Sequence, residues 1–556
     1  MAPRIPTVCC IHSGLGPAFE RLGARVAHLS PPQGTASLPE LLATLPEPPD
    51  LVLHQENLGC RLILTDLDAA PCPTLFWALD PHLNFFWQRH YARLFSAVAT
   101  TQPHLAEAFA AACPGRTAWV PWHGRARPLA PFSGRTASLA FVGRLAPARP
   151  RRQWFAAHMA RFGLTVRQDA FGEALAAVYD AARLAPNESI AGEINLRLFE
   201  AASSGCLPVS ERRPEAVAEL FVPDREALYY DDVLELDDRI RFALAHPGLT
   251  EKMGRAAHAA VNDRHLPEHR AESLFALAET ATTGARGPEA RAAEALALYH
   301  LRRAGQLALP RDMVWQRLAA APDTPEVMAA RIQMGLSGGD REAVLRLAGL
   351  CLARPELARD PGVGAACSLA ACRLGEAQAA KRAYVAVIGA TGRRDAPRLA
   401  EERDYLLFFA DALAAAGSLA APGMVFDPKV HLPDNATQCL FAAKALCPGD
   451  LEIERRLETL LRRLPGTDAG RVGLLSRLTL HKPGDWSLGL ELGLADLQAF
   501  RLEEGLEEIR LAGATAARLG QDARFARRLA LADPEGRIRK SLAQETGAPP
   551  RTPPGG

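Results

Sequence analysis

The stretch NLRLFEAASSGCLPVS, residues 195–210, sets Asn195, Arg197 and Glu200 at the head of a segment that otherwise offers small and apolar residues. Leu196, Phe199 and Ala202 recur at helical spacing. Gly205 suits the left-handed turn that closes a helix, and Cys206 to Val209 reads as a short buried strand. The polar residues therefore fall in the first turns, where backbone N–H groups lack partners and the helix dipole favours anions. Two chemistries suit them. An Arg and a Glu at this spacing form an ordinary surface ion pair. Alternatively, the guanidinium holds a phosphate while the carboxylate accepts hydrogen bonds from hydroxyls.

Composition limits what else the chain can do. Its 556 residues suffice for about three or four domains, and its formal net charge of +1 provides no basic field for nucleic acid. Only six residues are Lys, and the first is Lys252. The preceding residues thus hold neither a Walker-type phosphate lysine nor a Schiff-base lysine. An anion bound there must rely on Arg, backbone amides or helix N-termini. The 11 Cys include no C-x-x-C pair, and Cys9–Cys10 lies inside an apolar run, so a reducing compartment is expected. The N-terminal apolar run is too short for a secretory signal, and no stretch of about eighteen apolar residues occurs. A cytoplasmic protein without a membrane span is expected.

The elements that must position these groups read as two cycles of strand and helix. Strands are predicted at 7–11, 25–29, 51–54, 73–78, 97–100 and 118–120. A second set falls at 139–142, 164–167, 183–186, 206–209 and 227–230. Such alternation predicts two parallel sheets with helices on both faces, which bind ligands beyond the carboxyl ends of the strands. Gly143 and Arg144 close one strand, Asn187 and Ser189 follow another, and the glycine turn HSGLG with Gly14 follows the first. Asp80 and His82 lie just beyond the strand at 73–78, and HQENLGCR, with Glu56, is expected to be another loop at that edge. Phe85, Phe86, Trp87 and Tyr91 could stack on a sugar or pack in the core.

After TATTGARGPEAR strand signals vanish. Residues 436–463 show small residues at helical spacing, then Pro-Gly-Asp, then a new helix, close to a tetratricopeptide (TPR-like) unit. The expected organisation is α/β: Rossmann-like domains at 1–127 and 128–283 facing a cleft, then an all-α helical-repeat region at 284–545 with a concave surface. A tail at 546–556, rich in Pro and Gly, is expected to be disordered. The first 283 residues are expected to fold without the helical region.

YDAARLAPNESIAGEINLRLFEAASSGCLPVSE, residues 179–211, resembles the nucleotide-binding half of GT-B glycosyltransferases, specifically the group around the spore-maturation CgeB proteins. The matching residues are Tyr179, Asn187, Asn195, Arg197, Phe199, Glu200 and Gly205. LAFVGR, LFVPDREALYYDD and RAAHAAVNDRHLPEHRAESLF resemble the family's first strand of this domain, closing strand and terminal helices. The sequence departs from the related E-x7-E families, because Gly192 stands where their first Glu would be.

The resemblance implies transfer of a sugar from a nucleoside-diphosphate donor. Domain 128–283 would bind that nucleotide sugar and domain 1–127 the acceptor. Glu200 would bind the ribose hydroxyls, and Arg197, Asn195 and Arg144 would neutralise the diphosphate. Gly14, Gly143, Asn187, Ser189 and Gly205 would complete the donor site. No cofactor and no metal are implied. Asp80, His82 and Glu56 are candidates for the catalytic base. The acceptor would be a protein such as flagellin, bound by the helical repeats, or a surface polysaccharide or lipid-linked glycan. Two alternatives stay open: a helical-repeat scaffold with an inactive GT-B half, and a GT-B nucleotide-sugar epimerase.

Overall fold

Apolar runs without polar alternation, such as TVCCI, LVLHQ and TLFWA, become strands covered on both faces, as a parallel sheet requires. The computed structural model describes residues 6–391 and 399–545, so the expected tail lies outside the described residues. The first sheet comprises β1 (Thr7–Ile11), β2 (Arg25–Leu29), β4 (Leu51–Gln55), β6 (Thr74–Ala78), β7 (Ala97–Thr100) and β8 (Thr117–Trp119). Its spatial order is β2-β1-β4-β6-β7-β8, all parallel. A separate parallel pair joins β3 (Gly34–Ser37) to β5 (Leu62–Thr65). The second sheet runs β10-β9-β11-β12-β13, built from β9 (Ala137–Val142), β10 (Leu164–Arg167), β11 (Ala182–Pro186), β12 (Leu207–Glu211) and β13 (Leu228–Tyr230). It too is parallel. The order in which strands are added reverses between β1 and β4 in one sheet and between β9 and β11 in the other. Such switch points open a crevice at the strands' carboxyl edge.

Beyond residue 283 the described residues are all helical or irregular, as expected. The helices nevertheless divide between two compact units. One comprises Met1–Trp122 with Pro267–Leu457, and the other His123–Leu266 with the chain from Glu458. The expected boundaries at 127/128 and 283/284 mark changes of composition, whereas the compact units follow the cores.

In the first unit the helix Gly287–Arg303 is buried along nearly its whole length. Ala293, Leu296, Ala297 and Leu301 pack in one cluster with Phe76, Trp87 and Tyr91. A helix apolar on all sides belongs inside a core. In the second unit Leu139, Phe155, Leu236 and Ile240 share a cluster with Trp486, Leu490, Leu497, Phe500 and Ile509. One face of the second sheet is thus closed by helices made more than two hundred residues later.

A chain ending at residue 283 would leave both clusters open. At about 1.5–3 kcal/mol for each large side chain returned to water, the loss exceeds the stability of an ordinary domain. The fragment should bind a hydrophobic dye and lack a cooperative melting transition. A soluble 1–283 fragment that melts cooperatively would show the helices to be dispensable.

Candidate functional site

The switch point of the second sheet is bridged by Arg197, from the first turn of the helix Leu196–Ser203. Its Nη1 donates to the Val142 carbonyl at the end of β9 (3.3 Å), and its Nη2 to the Glu188 carbonyl just past β11 (3.0 Å). Its Nε donates to Asn187 Oδ1 (3.0 Å), and the guanidinium lies over the Phe141 ring at 4.6 Å. A Cβ on Gly143 would stand 2.7 Å from Nη1, so glycine there lets the guanidinium approach the strand end. Burial, reinforced by the Arg152 charge, pulls the Arg197 pKa below its usual value. Among the described residues no carboxylate forms an ion pair with it, so the surface-pair chemistry with Glu200 does not occur.

Glu200 sits one turn further along, half-buried, and its carboxylate has no hydrogen-bond or ion-pair partner among the described residues. Burial raises its pKa to about 7, against the opposing pull of Arg197 and Arg125. At the N-cap position, Asn195 donates from Nδ2 to Asn187 Oδ1 (3.0 Å), while its own Oδ1 is buried with no hydrogen-bond partner. Two kinds of acceptor, a carboxylate and a buried amide oxygen, thus lack a hydrogen-bond partner among the described residues. Such a place suits hydroxyl donors and an anion together.

The loop from Asn187 to Asn195 is held from below. Tyr230 Oη donates to the Asn187 carbonyl (2.5 Å), and Asn187 Nδ2 to Ser210 Oγ (3.3 Å). The Glu188 carboxylate is buried between Arg152 Nε (2.6 Å) and Arg151 Nη1 (3.3 Å). Sequence reading missed Glu188, Arg151, Arg152 and Tyr230. The only signal was an acid immediately after the strand-end Asn187 and a doubled Arg in PRRQWF.

In the first unit Glu56 is a strut. Its Oε2 accepts from the backbone N–H groups of Leu79 (2.9 Å) and Asp80 (2.8 Å), and its Oε1 from Arg61 Nη1 (2.9 Å). With its side chain 1 % exposed it is no candidate base, but it fixes the turn that carries Asp80. Asp80 is partly exposed at the N-cap of the helix Pro81–Tyr91 and makes no side-chain capping bond to it. His82, which could have been solvated, is buried. The aromatic cluster is core: Phe86, Trp87 and Tyr91 are buried, and Tyr91 Oη accepts from the Leu64 N–H at 2.8 Å.

The remaining site candidates separate by environment. Arg144 lies exposed beside Gly143, and Ser189 is buried in the loop it was expected to line. Gly205 has φ +65, and a Cβ there would meet Leu129 Cδ1 at 2.2 Å. It closes the helix and packs tightly, so its requirement is structural and it does not line the site. At Gly14 a Cβ would meet nothing, whereas at Gly16 it would collide with the His28 ring. In HSGLG it is therefore Gly16, not Gly14, that a neighbouring side chain approaches closely.

Residues 130–276 match a family model described as glycosyl transferase-like. Similar solved structures include sucrose-phosphate synthase from Thermosynechococcus elongatus, at 13% identity and TM-score 0.36, covering 49% of this chain and 98% of that one. Anabaena HepE in complex with UDP-glucose is similar at 14% identity and TM-score 0.34, covering 49% of this chain and 100% of that one. The pneumococcal O-GlcNAc transferase GtfA in complex with UDP and GlcNAc follows at 14% identity and TM-score 0.30, covering 41% and 56%. No curated protein sequence matches the chain. Among the described residues no helix is long and apolar enough to cross a membrane.

Arg197 and Glu200 should respond oppositely to removal. Arg197→Ala strands two carbonyls at the switch point and should cost about 2–4 kcal/mol in chemical denaturation, on the scale of hydrogen bonds to a charged group. Glu200 has a raised folded-state pKa, so its contribution falls as pH rises from the unfolded value of about 4.5 towards 7. Glu200→Gln should therefore raise the melting temperature at about pH 8 and leave it unchanged near pH 4. Equal, small effects of both variants would restore the surface pair.

Proposed function

We propose that this chain is a glycosyltransferase of the GT-B type, akin to the CgeB group, and that the Asn187–Glu200 edge of the second sheet holds a nucleoside-diphosphate sugar. The observation that carries this reading is the Glu200 carboxylate. It is half-buried, its pKa is raised to about 7, and it has no hydrogen-bond or ion-pair partner among the described residues, within a segment that matches a glycosyl transferase-like family model. A carboxylate kept this way needs a ligand with hydroxyl donors, and vicinal ribose hydroxyls supply two. Asn195 Oδ1, at the N-cap of the same helix, is a further acceptor without a hydrogen-bond partner. Arg197 uses three of its five N–H groups inside the protein, which leaves two for the diphosphate. Arg144 adds a second charge at the same edge.

In the reaction an acceptor oxygen attacks the anomeric carbon, the bond from that carbon to the diphosphate breaks, and the acceptor proton passes to a base. Arginine charge stabilises the departing diphosphate, so the step calls for no cofactor and no bound metal. Asp80 is our candidate base: it is partly exposed just beyond the carboxyl end of β6, and Glu56 fixes its backbone. His82 is the second candidate. The helical segments, read as TPR-like pairs, offer a surface for a protein or glycan acceptor.

Nucleosides and their diphosphates, tested in a panel by calorimetric titration, check the reading. Nucleoside affinity should rise between about pH 6 and pH 8, as Glu200 gains the charge with which it accepts two hydrogen bonds, and then level off. In Glu200→Gln that pH dependence should vanish. A panel without binding at any pH would refute the assignment.

Turnover tests the base separately. Asp80→Asn should reduce sugar transfer or slow donor hydrolysis by about a hundredfold or more while donor affinity changes little. Retained turnover would move the role to His82, and conversion of the donor to its epimer would change the reaction class.

A further inference from the structure

The loop that carries the site is pressed from outside by a turn of the late helices, within the same compact unit. Gly466, just before the helix Asp468–His481, approaches Ala191 so closely that a Cβ there would stand 2.6 Å from its Cα and 2.7 Å from its backbone nitrogen. Such an approach requires glycine, and the atoms in the way are backbone, which cannot swing aside. Next to it a Cβ on Gly192 would touch Pro465 Cβ at 3.5 Å. Ala191 and Gly192 both have positive φ, at 51 and 73, the first of them without the freedom of glycine. A non-glycine residue holds that conformation only where its surroundings over-determine it.

A charged link runs in parallel. Asp468 Oδ2 lies 3.5 Å from Arg151 Nε. The same guanidinium reaches the Glu188 carboxylate at 3.3 Å, the Ser189 carbonyl at 3.4 Å and the Gln498 carbonyl at 3.2 Å. Its plane also lies over the Phe500 ring at 4.6 Å. One side chain therefore ties the start of one late helix and the end of the next to the two residues that follow Asn187. Steric pressure at Ala191–Gly192 and charge at Glu188–Ser189 act on the same short loop.

We infer that the turn Pro465–Asp468 is a positioning element of the nucleotide site, holding residues 188–194 in the conformation that binds. This rests on the proposed donor site, and it extends that site into the helical region. The turn touches no ligand. Its effect is to prepay the ordering of the loop, which a ligand would otherwise have to supply on binding.

Gly466→Val in the full chain tests the inference, with Asp468→Asn as the milder second variant and Gly473→Ala as a control. Gly473 lies on the same helix, and a Cβ there meets nothing. Hydrogen exchange over peptides covering 187–195 should speed up in Gly466→Val and to a lesser degree in Asp468→Asn, and stay unchanged in the control. Affinity for uridine, adenosine and guanosine diphosphates, measured well below the melting temperature, should fall about tenfold in Gly466→Val for whichever of them the natural protein binds. Unchanged exchange in both variants would overturn the clamp. Faster exchange with undiminished affinity would overturn its positioning role. If the natural protein binds none of the diphosphates, the donor-site reading fails, while the exchange measurement still decides whether the turn fixes the loop.

Discussion

A parallel sheet ends in a row of carbonyls that have no strand partner, and in this chain arginine satisfies them. Arg197 ties the carbonyls on either side of the second switch point. The same device recurs. Arg135 reaches carbonyls of Tyr179 and Ser204 at the ends of two helices, and of Ala182 at the start of β11. Arg331 donates to Leu318, Ala319 and Ala321, the last carbonyls of the helix Arg311–Ala320 and its exit. Arg270 binds the Pro121 and Trp122 carbonyls, and burial lowers its pKa to about 10. A planar fork of fixed donors can serve two or three carbonyls at once, which an ammonium on a flexible stem does poorly.

The same side chains make the candidate site electrically unusual. A guanidinium satisfied by carbonyls keeps its full charge, because carbonyls neutralise nothing. Arg197 therefore delivers a positive potential to the helix head while being held rigidly, and Glu200 faces that potential without being consumed by it. Burial meanwhile raises the Glu200 pKa to about 7, so the two groups do not form a standing ion pair. Preorganised charge of this kind is what a reacting diphosphate requires.

Strand positions were legible to within a residue or two, because strands buried on both faces are contiguous apolar runs. The exceptions are instructive. GTAS in β3 has no apolar run, and LILT in β5 follows ENLGCR, whose turn residues read as loop. The residues of the helix head were legible as a group, but the partners of Arg197 were not, since its acceptors are mostly backbone oxygens that no residue pattern displays. The division of the late helices was also hidden. Trp486, Leu490 and Phe500 pack under the second sheet, yet their Ala- and Leu-rich surroundings look like those of helices in the first unit. Composition marks a helix as amphipathic without saying which core it will join.

The chain crosses between its two units at residues 122/123, 266/267 and 457/458, so each unit is interrupted by part of the other. Protein synthesis is directional, and this imposes an order of assembly. Residues 123–266 emerge from the ribosome long before Trp486, Phe500 and Ile538, which complete their core. At about 5–20 residues per second the second sheet waits for tens of seconds with one apolar face uncovered. During that interval the first unit can close around the helix Gly287–Arg303. The nascent chain thus carries an exposed sheet face past a finished neighbour, a period in which a chaperone able to shield apolar surface would govern the yield of folded protein.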